Sequence, residues 1–161
     1  MSGLSYFRVL NLTIPLKTYF YEVLNLKIST KGRYALRVMA QLAKNDSENY
    51  TPLKEIAEEE KISLKYLEGI MTTLSKAGFL DAVHGKGGGY KLSKSPKDYT
   101  IGSILKLTEK TLCPVACLES ENEHCKRADS CLTQPLWSKL NKVIDDFLEN
   151  VTLEDLINKN L

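Results

Sequence analysis

The segment His84-Gly85-Lys86-Gly87-Gly88-Gly89 constrains what this chain can fold into more than any other. It lies between Phe79-Leu80-Asp81-Ala82-Val83 and Tyr90-Lys91-Leu92-Ser93, two short runs of strand length, and a glycine-rich tip bounded by two strands is a β-hairpin. A glycine loop that cradles nucleotide phosphates would instead run into a helix N-terminus, usually through Lys-Ser or Lys-Thr. Here a strand and then Pro96 follow, which sets that reading aside. The glycines allow close backbone approach to a phosphate, and Lys86 with His84 supplies positive charge at the tip.

What precedes the hairpin gives it a role. Apolar periodicity predicts a helix over about Lys31 to Lys44, with Tyr34, Ala35, Val38, Met39, Leu42 and Ala43 on one face. After the polar break 45–49, Thr51-Pro52 predicts a second helix, Thr51 as its cap and Pro52 in the first turn, with Leu53, Ile56 and Ala57 inward. Lys61-Ile62 ends it. Ser63 caps a third helix that turns Leu64, Leu67, Ile70, Met71 and Leu74 inward, leaves Lys65, Tyr66, Glu68, Gly69 and Thr72 outside, and stops at Gly78. Two helices across a very short turn, the second polar on its outer face, form a helix-turn-helix pattern that many helical pairs share. The hairpin directly behind it makes that pattern a winged helix.

The rear of the chain reads differently. Thr100 to Thr108 is a short helix, residues 111 to 134 form a polar loop, and Pro135 opens a long helix to about Asn150. Leu136, Leu140, Val143 and Phe147, with Trp137, Ile144, Leu148 and Val151, give it an apolar stripe too wide for one small neighbour, which predicts a dimer interface. Thr152 caps a last helix bearing Leu153, Leu156 and Ile157. Residues 27 to 99 carry 13 Lys and Arg against 9 Asp and Glu, whereas residues 111 to 161 carry 5 against 9. A basic front and an acidic rear suit a protein that presents one end to a polyanion, although solvated faces also produce such imbalance. No stretch approaches the roughly 18 consecutive apolar residues of a membrane span, and no secretion signal is evident, so no membrane partner and a cytoplasmic location are expected.

All four cysteines, Cys113, Cys117, Cys125 and Cys131, lie in the 111–134 loop. In a reducing compartment such a cluster points to metal binding or redox sensing rather than to disulfides. Thiolates ligate iron–sulfur clusters and zinc. The absence of any Cys-x-x-Cys pair counts against a thioredoxin-like enzyme and against an ordinary zinc ribbon, and leaves cluster, zinc and free thiols open.

Three segments, Ile28-Ser29-Thr30-Lys31-Gly32-Arg33-Tyr34-Ala35, Ile62-Ser63-Leu64-Lys65-Tyr66-Leu67-Glu68 and Gly85-Lys86-Gly87-Gly88-Gly89-Tyr90, resemble the Rrf family of winged helix-turn-helix transcription regulators. The resemblance continues through Cys125 to Cys131, Leu132-Thr133 and Leu136-Trp137, and covers Lys27 nearly to the C-terminus. It implies a mainly α fold with a small β-hairpin: a winged helix-turn-helix DNA-binding domain at 27–99, then a cysteine-rich loop and long C-terminal dimerisation helix at 100–161. It further implies a homodimer on a palindromic double-stranded DNA operator. Base contacts would come from Ser63, Lys65, Tyr66 and Glu68, and backbone or minor-groove contacts from Ser29, Thr30, Lys31, Arg33, His84 and Lys86. Cluster-bearing members use three cysteines that correspond to Cys117, Cys125 and Cys131, which implies an iron–sulfur cofactor, 2Fe-2S in type.

Departures from the family pattern bear on the sensor. Gln134 stands where cluster-bearing members place a histidine ligand, and the Cys117–Cys125 interval is long, so the fourth ligand is open among Cys113, His124, a carboxylate or a partner residue. His84 replaces a wing arginine, which predicts a weaker, pH-dependent contact. Leu26 occupies the position of the usual initiator methionine, so residues 1–26 are read as an N-terminal extension upstream of a non-AUG start. The expected function is a repressor of iron–sulfur biogenesis or cysteine and sulfur metabolism genes, sensing through a cluster. The alternative is a cluster-free regulator controlled by a cysteine-biosynthetic partner enzyme. A thiol redox enzyme would need an activated thiolate beside a base, for which His124 next to Cys125 is the sole sequence hint. No enzymatic activity is expected.

Overall fold

The computed structural model describes residues 28–45, 49–119, 125 and 127–161. The expected extension at 1–26 and His124 lie outside the described residues. The first helix, α1 (Thr30–Lys44), begins on Ser29, whose hydroxyl accepts from the Gly32 amide at 3.1 Å. It lays Ala35, Val38, Met39 and Leu42 against the core. The next two helices, α2 (Leu53–Glu60) and α3 (Leu64–Lys76), meet across Lys61-Ile62-Ser63. Lys61 takes the left-handed conformation (φ 55°, ψ 44°), and the Ile62 amide returns to the Ala57 carbonyl at 3.0 Å, closing the turn where a glycine is usual.

Ser63 caps α3 as the sequence suggested, and Gly78 (φ 73°) ends it, with the Phe79 amide bonded back to Leu74. Leu67, Ile70, Met71 and Leu74 are buried, each contributing on the order of 1.5–3 kcal/mol of transfer free energy. Leu64 differs from the expectation. It is 46% exposed, because the first turn of α3 projects beyond the core it otherwise packs on.

The hairpin pairs β1 (Leu80–Val83) with β2 (Gly89–Leu92), antiparallel, Leu80 opposite Leu92 and Val83 opposite Gly89. Thr51 also differs from its expected role. The residue capping α2 is Pro52, without a side-chain bond, while Thr51 joins the hairpin through paired backbone bonds with Tyr90, both 2.9 Å. Its hydroxyl accepts from the Asn45 side chain. A Cβ at Gly89 would strike the Thr51 backbone, so glycine is what lets the two chains approach here.

Helix α4 (Ile101–Thr108) and the short α6 (Leu153–Asn158) complete the head. Tyr99, Ile104 and Leu153 belong to the same buried cluster as Val38, Leu67 and Met71, so the core continues across the boundary expected at 99/100. The Tyr99 hydroxyl donates to the Phe79 carbonyl at 3.0 Å and accepts the Lys94 amide at 2.8 Å, tying the hairpin root to α4.

Between these elements runs the long helix α5 (Gln134–Asn150). Its C-terminal end is fastened to the head. Ile101 donates to the Val151 carbonyl at 2.8 Å and Leu153 to that of Tyr99 at 2.9 Å. The Glu149 carboxylate takes the Thr100 hydroxyl at 2.7 Å and the Lys106 ammonium at 2.7 Å, and Lys106 also reaches Asp145 at 2.8 Å. Gly102 leaves space for that carboxylate. Among the described residues, no helix is long and apolar enough to cross a membrane.

Candidate nucleic-acid interface and cysteine loop

Because Leu67, Ile70, Met71 and Leu74 fix the inner face of α3, the opposite face is dictated by helical spacing. Lys65, Tyr66, Glu68, Gly69 and Thr72 are all exposed. No other part of the described chain covers them. The Tyr66 ring, 41% exposed, stands edge-on to Tyr34 of α1 at 5.9 Å between centroids, and the Arg37 guanidinium lies over the far ring at 5.3 Å. This stack limits the rotamers open to Tyr66 while leaving the residue exposed. The Ser63 hydroxyl accepts the Tyr66 amide at 3.4 Å, so it acts as a cap while its own proton stays available to an outside acceptor.

The hairpin tip is likewise exposed. His84 and Lys86 face solvent, and Gly85 and Gly87 have φ of 103° and 81°, a conformation that a side chain would resist. At the start of α1, Thr30 and Arg33 are exposed, Lys31 is half-buried, and the Arg33 guanidinium donates to the Thr30 hydroxyl at 3.3 Å.

Ser29 is engaged within the molecule. Its amide (3.0 Å) and hydroxyl (2.8 Å) both donate to Oε1 of Glu109, the residue that follows α4. A Cβ at Gly32 would occupy the place of that carboxylate. Glu109 is thus a residue that sequence reasoning missed. Gly32 in the first turn of a helix, a poor helix former where alanine would serve, was the available signal of a close approach.

The loop between α4 and α5 contains two single 3-10 turns, Ala116–Leu118 and Ala128–Ser130. All four cysteines are free thiols, Cys117 exposed and Cys113, Cys125 and Cys131 half-buried. The Cys113 thiol donates to the Leu118 carbonyl at 3.3 Å. A hydrogen bond with the Thr133 hydroxyl, foremost, together with backbone donors and the charge of Arg127, holds the Cys131 thiol below its usual range.

In chemistry this donor set fits an iron–sulfur cluster, since thiolate is the ligand such clusters take. In position it is not drawn together: among the described residues no three Cys, His, Asp or Glu side chains are assembled as a metal cage. Gln134 donates its amide to Ser138 of the same helix at 3.1 Å and offers no anionic ligand.

Residues 28–159 match the Rrf2 family, described as an iron-dependent transcriptional regulator. Among curated proteins, the chain is 38% identical over 133 residues to the HTH-type transcriptional regulator IscR of Pectobacterium carotovorum subsp. carotovorum (strain PC1), covering 83% of this chain and 80% of that one. Among solved structures it is similar to CymR, the global cysteine regulator of B. subtilis (38% identity, TM-score 0.69, 83% and 98% covered). It is also similar to T. potens IscR (32% identity, TM-score 0.67, 85% and 90% covered).

Proposed function

The chain belongs to the Rrf2 family of winged-helix transcription regulators, and from that premise we propose that it is a cytoplasmic, non-enzymatic repressor that binds palindromic DNA as a homodimer and senses through its cysteine loop. The observation that carries the reading is the uncovered polar face of α3 beside an exposed glycine wing. Lys65, Tyr66 and Glu68 meet base edges, with Ser63 at the helix start. Lys86, His84, Thr30, Lys31 and Arg33 hold phosphates or the minor groove. Ser29 contributes by capping α1, since both its donors are already taken.

The exposed stripe Leu136, Leu140, Val143 and Phe147 packs against the same stripe of a second copy. Two heads so joined must match half-sites about 34–36 Å apart, so any reorientation of α5 penalises binding. A coupling of about 1–3 kcal/mol between loop and DNA suffices for a switch.

Cys117, Cys125 and Cys131 would hold an iron–sulfur cluster of the 2Fe-2S kind, with Cys113 a candidate fourth ligand. When bound, it would supply a redox-sensitive cross-link across the loop. The chain's own part is to present the thiolates, with the Thr133 hydrogen bond holding the Cys131 thiol below its usual range. The pathway proposed is iron–sulfur biogenesis or cysteine and sulfur metabolism.

Two observations favour the second reading, a cluster-free regulator under a cysteine-biosynthetic partner enzyme: Gln134 in the fourth-ligand position and the dispersed thiols. Protein purified without oxygen decides between them. A visible charge-transfer spectrum with matched iron and sulfide supports the cluster, and colourless, iron-free protein that still binds DNA supports the second. For the DNA face, Lys86→Ala is expected to weaken all duplexes alike and to lower the salt slope. Lys65→Ala is expected to relax sequence preference as well, by about 1–3 kcal/mol at one position. Equal, sequence-independent losses from both would refute α3 as the reading helix.

A further inference from the structure

Glu109 sits outside every element assigned to DNA, yet it is the partner that fixes the start of α1. One oxygen of its half-buried carboxylate accepts two hydrogen bonds from Ser29, and the Ser29 hydroxyl in turn accepts the Gly32 amide. The chain thereby links the end of α4 to the first turn of α1 over 80 residues of sequence. The fit is specific in shape: Gly32 provides the notch in which the carboxylate lies, and the Ile28 side chain borders the same notch. The outer side of that same turn carries Thr30, Lys31 and Arg33.

We propose that Glu109 is a positioning residue for DNA binding: its carboxylate anchors Ser29 so that the first turn of α1 presents Lys31 and Arg33 to the phosphate backbone. This rests on the DNA-binding reading above. It adds a residue that touches no DNA, and it makes reach, rather than charge, the property that matters. An aspartate at 109 keeps the charge but is one methylene too short to hold both Ser29 donors. A glutamine loses the charge yet keeps an oxygen that accepts both.

The test uses the full chain to enrich a duplex from a random-sequence library, and then titrates that duplex, fluorescein-labelled, at several salt concentrations. Glu109→Ala and Glu109→Asp are expected to weaken binding about tenfold and to make the salt slope shallower by about one phosphate contact. Glu109→Gln is expected to stay within about twofold of the wild type and to keep its slope. Thermal melting of each variant accompanies the titration. If Glu109→Ala fails to fold, the contrast between aspartate and glutamine decides. Wild-type binding by Glu109→Asp, an equal loss in Glu109→Gln, or weakened binding with an unchanged slope would each overturn the inference and leave DNA binding intact. Failure to enrich any duplex would sink both.

Discussion

The head and the long helix meet the same problem, apolar side chains in water, with opposite outcomes. In the head, α1, α3, α4 and α6 bury Val38, Met39, Leu67, Ile70, Met71, Leu74, Ile104 and Leu153 almost completely. In α5 no residue is buried, although Leu136, Val143 and Phe147 are as apolar as anything in the core and stand 57–62% exposed. Composition does not separate the two regions; available partners do. The head closes on itself with the help of its last helix, while α5 has one half-covered side toward the head and one side that no described residue covers. A segment of this kind is held in place by its attachment to the head, and its exposed stripe is the surface proposed above to meet a second copy.

The sharpest way to break this contrast is Leu153→Ala. If α6 belongs to the head core, the substitution costs about 2–5 kcal/mol in equilibrium urea unfolding; a change below about 1 kcal/mol would return residues 153–158 to the tail. Next in size, Phe147→Asp places a charge at the C-terminal end of the open stripe, on its most exposed aromatic side chain. Sedimentation should report a monomer with unchanged far-UV dichroism, and affinity for a two-half-site duplex should fall about a hundredfold through lost bivalency. An intact dimer would refute α5 as the joint.

A smaller effect is expected at the fastening of α5. Lys106 and Thr100 hold the Glu149 carboxylate below its usual range, and Asp145 with Glu149 raises the Lys106 ammonium. The depressed carboxylate contributes stability that is present above its unfolded value, near pH 4, and is lost as pH falls through the lower folded value. The raised ammonium contributes fully below its unfolded value and loses its effect as pH rises through the higher folded one. The gap in melting temperature between wild type and Glu149→Gln should therefore be open from about pH 5 to 10 and close in acid. At neutral pH it should correspond to less than about 1 kcal/mol, since these side chains are more than a third exposed. The smallest effect belongs to the loop. Cys117→Ser in iron-free protein should leave the unfolding free energy within about 0.5 kcal/mol of the wild type, as expected for an exposed side chain.

What was legible in the sequence follows from the range of the interactions. The helix α3, its cap Ser63, its stop Gly78 and the glycine tip were readable because periodicity and turn chemistry act over a few residues. Thr51 was misread for the same reason. Thr-Pro obeys local capping grammar, but its actual partner, Tyr90, lies 39 positions away in sequence and is reached only because Gly89 lacks a Cβ. Leu64 followed the apolar period and yet stands beyond the core edge, which no period can reveal. Leu153 was legible as an apolar residue of the last helix but not as a member of the head core, and Glu109 carried no signal of its own, because both answers depend on α4 folding back beside α1. The residues proposed to face DNA were legible as a polar outer face of α3, which the fold leaves exposed. The cysteines were legible only as donors, since spacing along an irregular loop does not fix where thiols meet.

The one-sided fastening of α5 has a mechanical consequence. Its 17 residues extend about 25 Å from the Glu149 pivot to the cysteine-bearing end. An angular play of about 5° at the pivot sweeps the far tip through about 2 Å. A small displacement at the cysteine-bearing tip therefore corresponds to a still smaller movement at the head, where the lever arm is short.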